Sequence, residues 1–219
     1  MAERLVPPEH CPWGLKAQPV VDLQRFGLLH FEGRRLIQSW FARGYGRLDC
    51  TPEESFEPFI FCWISFNGWA ACCSGEDEDW RWRDALAADS ALARRFDEQD
   101  RDEKEFAAAV DDFRSLLPIF KAQQLRRRGI FLDGSSRREI VEFYLSQRPL
   151  ISRAPRCFED HVARGEGIIG DWPHVVGALY QVRCNLFHGE KAAHSEMDRL
   201  IVYSAFQVIA RFLAPYIHV

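Results

Sequence analysis

Apolar residues recur every three or four positions through most of the chain, a spacing that predicts helices. Residues 1–22 contain four prolines and show no sustained period, so we expect an irregular N-terminal arm. Residues 23–219 are expected to form a single all-α domain, a bundle of about six or seven helices. The predicted helices cover residues 28–41, 52–73, 79–96, 102–117, 137–147, 172–188 and 195–215.

The segment 52–73 is the most apolar of these, and we predict that it is the central helix. Its aromatic residues would also suit a buried strand. The sequence T-P-E-E at 51–54 has the pattern of a capping box, however, and the length is near twenty residues; both favour a helix. The segments 172–188 and 195–215 should complete the core. Asn67 needs a hydrogen-bond partner if it is buried, either a neighbouring backbone group or a functional site.

The polar residues Arg183, Asn185 and His188 close the helix that precedes the final one. Asp171 provides an N-cap with a proline in the first turn, and Gly189 suits the position after the last turn. At about 100° per residue, Arg183 and His188 lie about 140° apart, whereas Asn185 and His188 form an i,i+3 pair. Arg183 and His188 therefore converge only if the last turn unwinds or the long arginine side chain wraps round.

The residue types at this helix end suit phosphate chemistry. An arginine is a permanent cation, and a histidine near a helix C-terminus changes charge close to neutral pH, where it can move a proton to or from a leaving oxygen. Cationic residues in a last turn also commonly bond the free carbonyls and offset the helix dipole, which is a purely structural role. A Cys184–His188 pair could act as thiol and base, but no third member is visible.

The run V-R-C-N-L-F-H-G-E-K at 182–191 resembles the motif of the HEPN superfamily, in which an Arg is followed after four to six residues by a His, often with Gly next. Arg183 and His188 match the two defining positions. The family usually has Asn, Asp or His directly after the Arg, whereas Cys184 stands there in this chain and Asn185 follows. The resemblance implies a small all-α bundle, usually dimeric, and in many members a metal-independent endoribonuclease.

For this chain the resemblance implies three catalytic residues and no cofactor. Arg183 would neutralise the phosphate, His188 would act as general base or general acid, and Asn185 would orient the imidazole or hold the phosphate. RNA would be the substrate, and a homodimer with the motif at its interface would supply a second Arg–His pair. The other functional class is a non-catalytic RNA- or nucleotide-binding or dimerisation module of the same fold. An antitoxin or another defence-system protein stays open as a further partner.

Composition and residue spacing bear on membrane association, redox environment and metal binding. The apolar fraction of 47% is ordinary for a globular protein, and no apolar run reaches the 18–20 or so residues that span a bilayer, so no membrane partner is expected. The seven cysteines are scattered without a C-x-x-C pair, which indicates a reducing, cytoplasmic environment. His188, Glu190 and His194 match no zinc-site spacing, so we expect no metal.

Charge is divided unevenly along the chain, although the net charge is only −4. Residues 76–112 hold fourteen acidic and six basic residues, and we expect them to form solvated helix faces. Residues 121–156 hold nine basic and three acidic residues, including three successive arginines at 126–128. The basic segment could present a positive surface to phosphates, or it could be an ordinary solvated helix face.

Overall fold

A computed structural model of the protein describes residues 21–120, 170–187 and 195–217. Within these ranges the chain forms eight α-helices and one 3₁₀ turn, with no strand, so the predicted all-α class is confirmed. Several predicted features lie outside the described residues: most of the N-terminal arm, the helix 137–147, the arginines at 126–128 and the segment leading to residue 170. The helices are α1 (Gln24–Leu28), α2 (Phe31–Tyr45), α3 (Phe56–Ser74), α4 (Asp79–Ala88), α5 (Ser90–Asp102), α6 (Lys104–Ser115), α7 (Trp172–Phe187) and α8 (Glu196–Leu213).

Helix α3 is the central helix, as predicted, and it packs against α1, α2, α4 and α8. The backbone N–H of Thr51 donates to Oε2 of Glu54 at 3.0 Å, so the expected capping contact exists. It precedes the 3₁₀ turn Pro52–Glu54 rather than α3 itself, which begins at Phe56. The helix ends at Gly75, whose φ of +71° lies in the left-handed region that glycine adopts without strain.

Helices α2 and α3 approach closely because glycine stands at their crossing. A Cβ atom on Gly44 would lie 2.8 Å from the carbonyl oxygen of Pro58, too close for any other residue to fit without a shift. Nearby, the hydroxyl of Ser65 donates to the carbonyl oxygen of Ile37 at 2.7 Å. Leu36 of α2, in contrast, is 58% exposed.

The two long helices predicted over 79–96 and 102–117 are in fact three. The chain breaks at Asp89, whose side chain accepts a hydrogen bond of 2.8 Å from the backbone N–H of Leu92 and so caps α5. A second break at Glu103 separates α5 from α6. The prediction of one continuous helix over 79–96 was wrong. The high helix propensity of this Ala- and Arg-rich span gave no indication that Asp89 caps a new helix.

Helices α7 and α8 follow their predicted bounds closely. Oδ1 of Asp171 accepts from the backbone N–H of His174 at 3.2 Å, and the Ser195 hydroxyl oxygen accepts from that of Asp198 at 3.4 Å, so both expected caps are present. Helix α7 packs against α4, α5 and α8, while α8 packs against α3 and α6. Most apolar residues of α8 are buried, but Leu200 is 37% exposed. None of the helices in the described ranges has the length and apolar character needed to cross a membrane.

Candidate functional site

Arg183 lies on α7, one helical turn before Phe187, the last residue of that helix. Its Nη2 atom is 2.9 Å from Oδ2 of Asp79, the first residue of α4. The Arg183 side chain is 25% exposed and that of Asp79 is 30% exposed, so the ion pair lies at the surface. Asp79 is also well placed for the dipole of its own helix, because a carboxylate is stabilised at a helix N-terminus. The pair joins the end of α7 to the start of α4.

Three aromatic rings surround the Arg183 guanidinium. Its Cζ atom is 5.2 Å from the ring centroid of Phe187, 5.9 Å from that of Tyr180 and 6.0 Å from that of Trp63. Rings at such distances attract a cation and restrict its movement. Among the described residues, the buried Nε atom has no hydrogen-bond partner, and Nη1 has one long contact of 3.9 Å to Sγ of Cys184. One carboxylate oxygen, the Cys184 sulfur and the rings therefore hold the guanidinium, and 25% of the Arg183 side chain stays exposed.

Tyr180 lies between two arginines and stays protonated at neutral pH. The Arg83 Cζ atom is 4.8 Å from the Tyr180 ring centroid, and the Arg183 Cζ atom is 5.9 Å from the same centroid. Burial raises the pKa of the Tyr180 phenol, and the nearby Cys184 and Asp79 raise it further, while the two arginines oppose the rise. A phenol with a raised pKa can donate a hydrogen bond but does not serve as a base near neutrality.

Asn185 has a different environment from Arg183, although only two positions separate them. Its residue exposure is 4%, its Nδ2 donates to the carbonyl oxygen of Phe120 at 2.8 Å, and its Oδ1 accepts from Nε2 of Gln181 at 2.8 Å. Two residues of a helix that are two positions apart point about 200° apart. The structure therefore does not bring Arg183 and Asn185 to a common acceptor; Asn185 anchors the segment that follows α6.

His188 lies outside the described residues, as do Glu190 and His194. The proposed contacts of His188 with Arg183, Asn185 or a thiol at Cys184 stay predictions. Within the parts of the chain that the structure describes, no group of three or more His, Cys, Asp or Glu side chains is arranged to hold a metal ion. The site on the described residues therefore consists of Arg183, its carboxylate partner and the aromatic rings.

The sequence did not reveal Asp79 as a member of this site. Asp79 belongs to the acidic segment 76–112, which was expected to be a solvated face. Several of its carboxylates have structural partners instead; for example, Asp79 pairs with Arg183, and Oδ2 of Asp100, whose side chain is 19% exposed, lies 2.8 Å from Nη2 of Arg114. The one available signal was the position of Asp79 at a predicted helix start, which does not identify a partner on another helix.

Asn67 of α3, for which the sequence left a backbone group or a functional site open as partner, is only partly buried. Its Oδ1 is buried and has no hydrogen-bond partner among the described residues. Asn67 lies one helical turn from Trp63, so the two side chains share a face of α3. The Trp63 ring on that face has its centroid 6.0 Å from the Arg183 Cζ atom.

No protein-family model, curated protein or solved structure matches this chain.

Proposed function

We propose that this protein is a metal-independent endoribonuclease of the HEPN type. The observation that supports the proposal best is the state of Arg183. Its guanidinium is held by one oxygen of Asp79, its side chain is 25% exposed, and it lies one turn before the helix end at which the sequence places His188. Metal-independent cleavage of a phosphodiester requires at least a fixed cation and a residue that can move protons near neutral pH.

In this mechanism the ribose 2′-hydroxyl loses its proton and attacks the adjacent phosphorus, and the P–O5′ bond breaks. The products end in a 2′,3′-cyclic phosphate and a 5′-hydroxyl that has taken up a proton. Arg183 binds the phosphate oxygens and stabilises the charge that they gain, the function that a metal ion has in other nucleases. His188 removes the first proton or supplies the second. A two-fold dimer with two Arg183–His188 pairs at its interface would provide both groups.

Asp79 acts on Arg183 in two opposing ways. Its negative charge weakens the attraction between Arg183 and a phosphate, yet it also fixes the long side chain in one orientation. The Asp79 carboxylate contacts Nη2, so a phosphate that binds at Nη1 need not displace it. Positioning of this kind reduces the conformational entropy that Arg183 would otherwise lose on binding RNA.

The second candidate function is a non-catalytic RNA- or nucleotide-binding or dimerisation module. Two observations favour it: Arg183 already has a carboxylate partner on α4, and Asn185 is buried with its amide bound to the Phe120 carbonyl. Both contacts are expected of residues that have purely structural roles. In that case Arg183 joins two helices, and the resemblance of the motif has no catalytic meaning.

Cleavage of single-stranded RNA by purified protein distinguishes the two functions. In the enzyme, His188→Ala should lower cleavage by roughly 10²–10⁴-fold with little change in Tm, since a general acid or base contributes about that much. Arg183→Lys should lower turnover more than RNA affinity, because the planar fork matters most as the phosphate gains charge. Cleavage should survive EDTA and leave 2′,3′-cyclic phosphate ends.

Arg94→Ala is the matched control, because Arg94 is an exposed arginine that pairs only loosely with Glu98 at 3.8 Å. It should leave both cleavage and RNA affinity unchanged. Cleavage that EDTA abolishes, or that His188→Ala leaves intact, contradicts the proposed enzyme. A monomer in sedimentation at micromolar concentration contradicts the shared site.

A further inference from the structure

Phe187 is a large apolar side chain left at the surface beside the candidate catalytic arginine. It ends α7 and is 52% exposed, whereas Val175, Leu179 and Val182 of the same helix are buried. The Arg183 Cζ atom lies over its ring, 5.2 Å from the centroid. Since a ring has two faces and the guanidinium covers one of them, an exposure of this size leaves ring surface open to solvent.

A planar apolar surface next to a cation with a spare N–H matches the chemistry of one nucleotide. The base of a nucleotide stacks on aromatic rings, and its phosphate binds an arginine. Other exposed aromatic side chains, such as Trp80 and Phe31, have no contact with Arg183 among the described residues. Phe187 is therefore the exposed ring best placed to hold a base while the neighbouring phosphate reaches Nη1.

We propose that Phe187 is a stacking platform for an unpaired nucleobase of single-stranded RNA, next to the phosphate that Arg183 binds. The inference rests on the proposed function for the identity of the polymer, and it adds the substrate class. Bases inside an A-form duplex are stacked on each other and present no free face, so a duplex cannot use the ring. The substrate must be unpaired at the position that Phe187 contacts.

The test measures binding rather than cleavage, so that it does not depend on catalysis. A short fluorescent single-stranded oligonucleotide with 2′-O-methyl groups cannot be cleaved by 2′-hydroxyl attack, and anisotropy gives its affinity. Phe187→Ala should weaken binding roughly 5- to 150-fold, the range that corresponds to the loss of one base–aromatic stack. Phe187→Trp should retain affinity. Phe187→Leu keeps an apolar cover over the Arg183 ion pair but removes the ring, and should bind as weakly as Phe187→Ala.

Trp80→Ala provides the matched control, because Trp80 is 51% exposed on α4 and its ring is approached by Arg81 instead of Arg183. It should not change affinity. A second arm uses a series of oligonucleotides with one abasic position each. Wild-type protein should lose affinity when a particular base is missing, and Phe187→Leu should be insensitive to that same omission, which a merely structural effect would not produce.

The outcomes separate this inference from the proposed function. If Phe187→Leu binds like wild type, or if a duplex binds as well as the single strand, the stacking role is wrong even when RNA is cleaved. If Phe187→Leu dissociates a dimer and leaves RNA affinity unchanged, the ring is a contact with a second copy and the inference fails. If stacking is observed but His188→Ala has no effect on cleavage, Phe187 keeps its role in a binding module and the enzyme is wrong.

Discussion

The two ends of helix α7 have different environments. At the first turn, the Trp172 side chain is 1% exposed, its indole N–H donates to the carbonyl oxygen of Leu86 at 2.6 Å, and its ring centroid is 4.4 Å from that of Phe212. At the last turn, Phe187 is 52% exposed and Arg183 is held by a surface carboxylate. One end is fixed by the core, and the other presents side chains to solvent.

This difference shows how a small bundle can hold a reactive group in place. The packing of Trp172 and the cap from Asp171 fix the first turn of α7 in the core. Of the residues near the helix end, Asn185 is buried and anchored to the Phe120 carbonyl, whereas the exposed Phe187 ring makes little contribution to the core. A site on a rigid helix is held more accurately than one on a loop. Substitutions at the first turn should therefore change stability, and those on the exposed face of the last turn should change function.

Removing Trp172 should have the largest effect on stability. Trp172→Ala leaves a cavity against Phe212 and removes the indole hydrogen bond to the Leu86 carbonyl, and should lower the free energy of unfolding by about 3–5 kcal/mol. That is a large part of the 5–15 kcal/mol or so that stabilises a typical domain. Urea unfolding followed by circular dichroism measures it. Phe187→Leu, at the other end of the helix, should shift the same curve by less than about 0.5 kcal/mol; equal shifts for the two variants would remove the contrast.

Asn185 tests the inner face of the last turn. Asn185→Ala removes the hydrogen bond to the Phe120 carbonyl and should lower the free energy of unfolding by about 1–3 kcal/mol. Cleavage per folded molecule should then stay near the wild-type rate, because the amide is directed at the backbone of Phe120. The opposite pattern, wild-type melting with strongly reduced cleavage, would show that Asn185 acts on His188 or on the substrate.

The ion pair between Asp79 and Arg183 should contribute little to stability. A double-mutant cycle with Asp79→Ala and Arg183→Ala should give a coupling free energy of about 1 kcal/mol or less, decreasing with added salt. The more exposed pair of Arg94 and Glu98 is the reference, and its coupling should be near zero. Coupling above about 3 kcal/mol would indicate a buried structural bridge and would favour the non-catalytic module.

Replacing the carboxylate of Asp97, close to the first turn of α7, should have the smallest effect on stability. Unlike the other substitutions, it should stabilise the protein. Burial raises the pKa of its carboxyl above the ordinary 3.8, and the neighbouring Asp100 and Asp171 raise it further. The folded state therefore binds this proton more tightly than the unfolded state, so stability from this group is present at low pH and is lost as pH rises through the folded pKa.

At pH 7, Asp97→Asn should accordingly raise Tm by about 1 °C or less, because Asp97 is exposed and solvent screens much of the effect. The gain should vanish below the ordinary pKa, where the wild-type side chain is already neutral. Glu98→Gln, on the same helix, is the control and should not raise Tm. A gain that does not depend on pH would mean that the amide stabilises the protein by some other route.

Local signals in the sequence accounted for most of the fold. The all-α class, the central helix and the caps from Asp171 and Ser195 depend on residues within a few positions of one another, and a single chain displays them. The break at Asp89 is also a local event, but it was missed because an aspartate inside a strongly helical composition can either cap a helix or face solvent within one. The hydrogen bond of its side chain decides between these, and composition does not reveal it.

The surroundings of the motif depended on tertiary structure. From its sequence alone, Arg183 is a cation near a helix end, and Asn185 is an amide two positions later. Only the packing of α7 against α4 pairs Arg183 with Asp79, and only the position of residue 120 gives the Asn185 amide its carbonyl partner. The physical reason is that periodicity tells which face of a helix is apolar but not which helix covers that face. Charges and amides take their partners from the neighbour, and the neighbour is chosen by the whole fold.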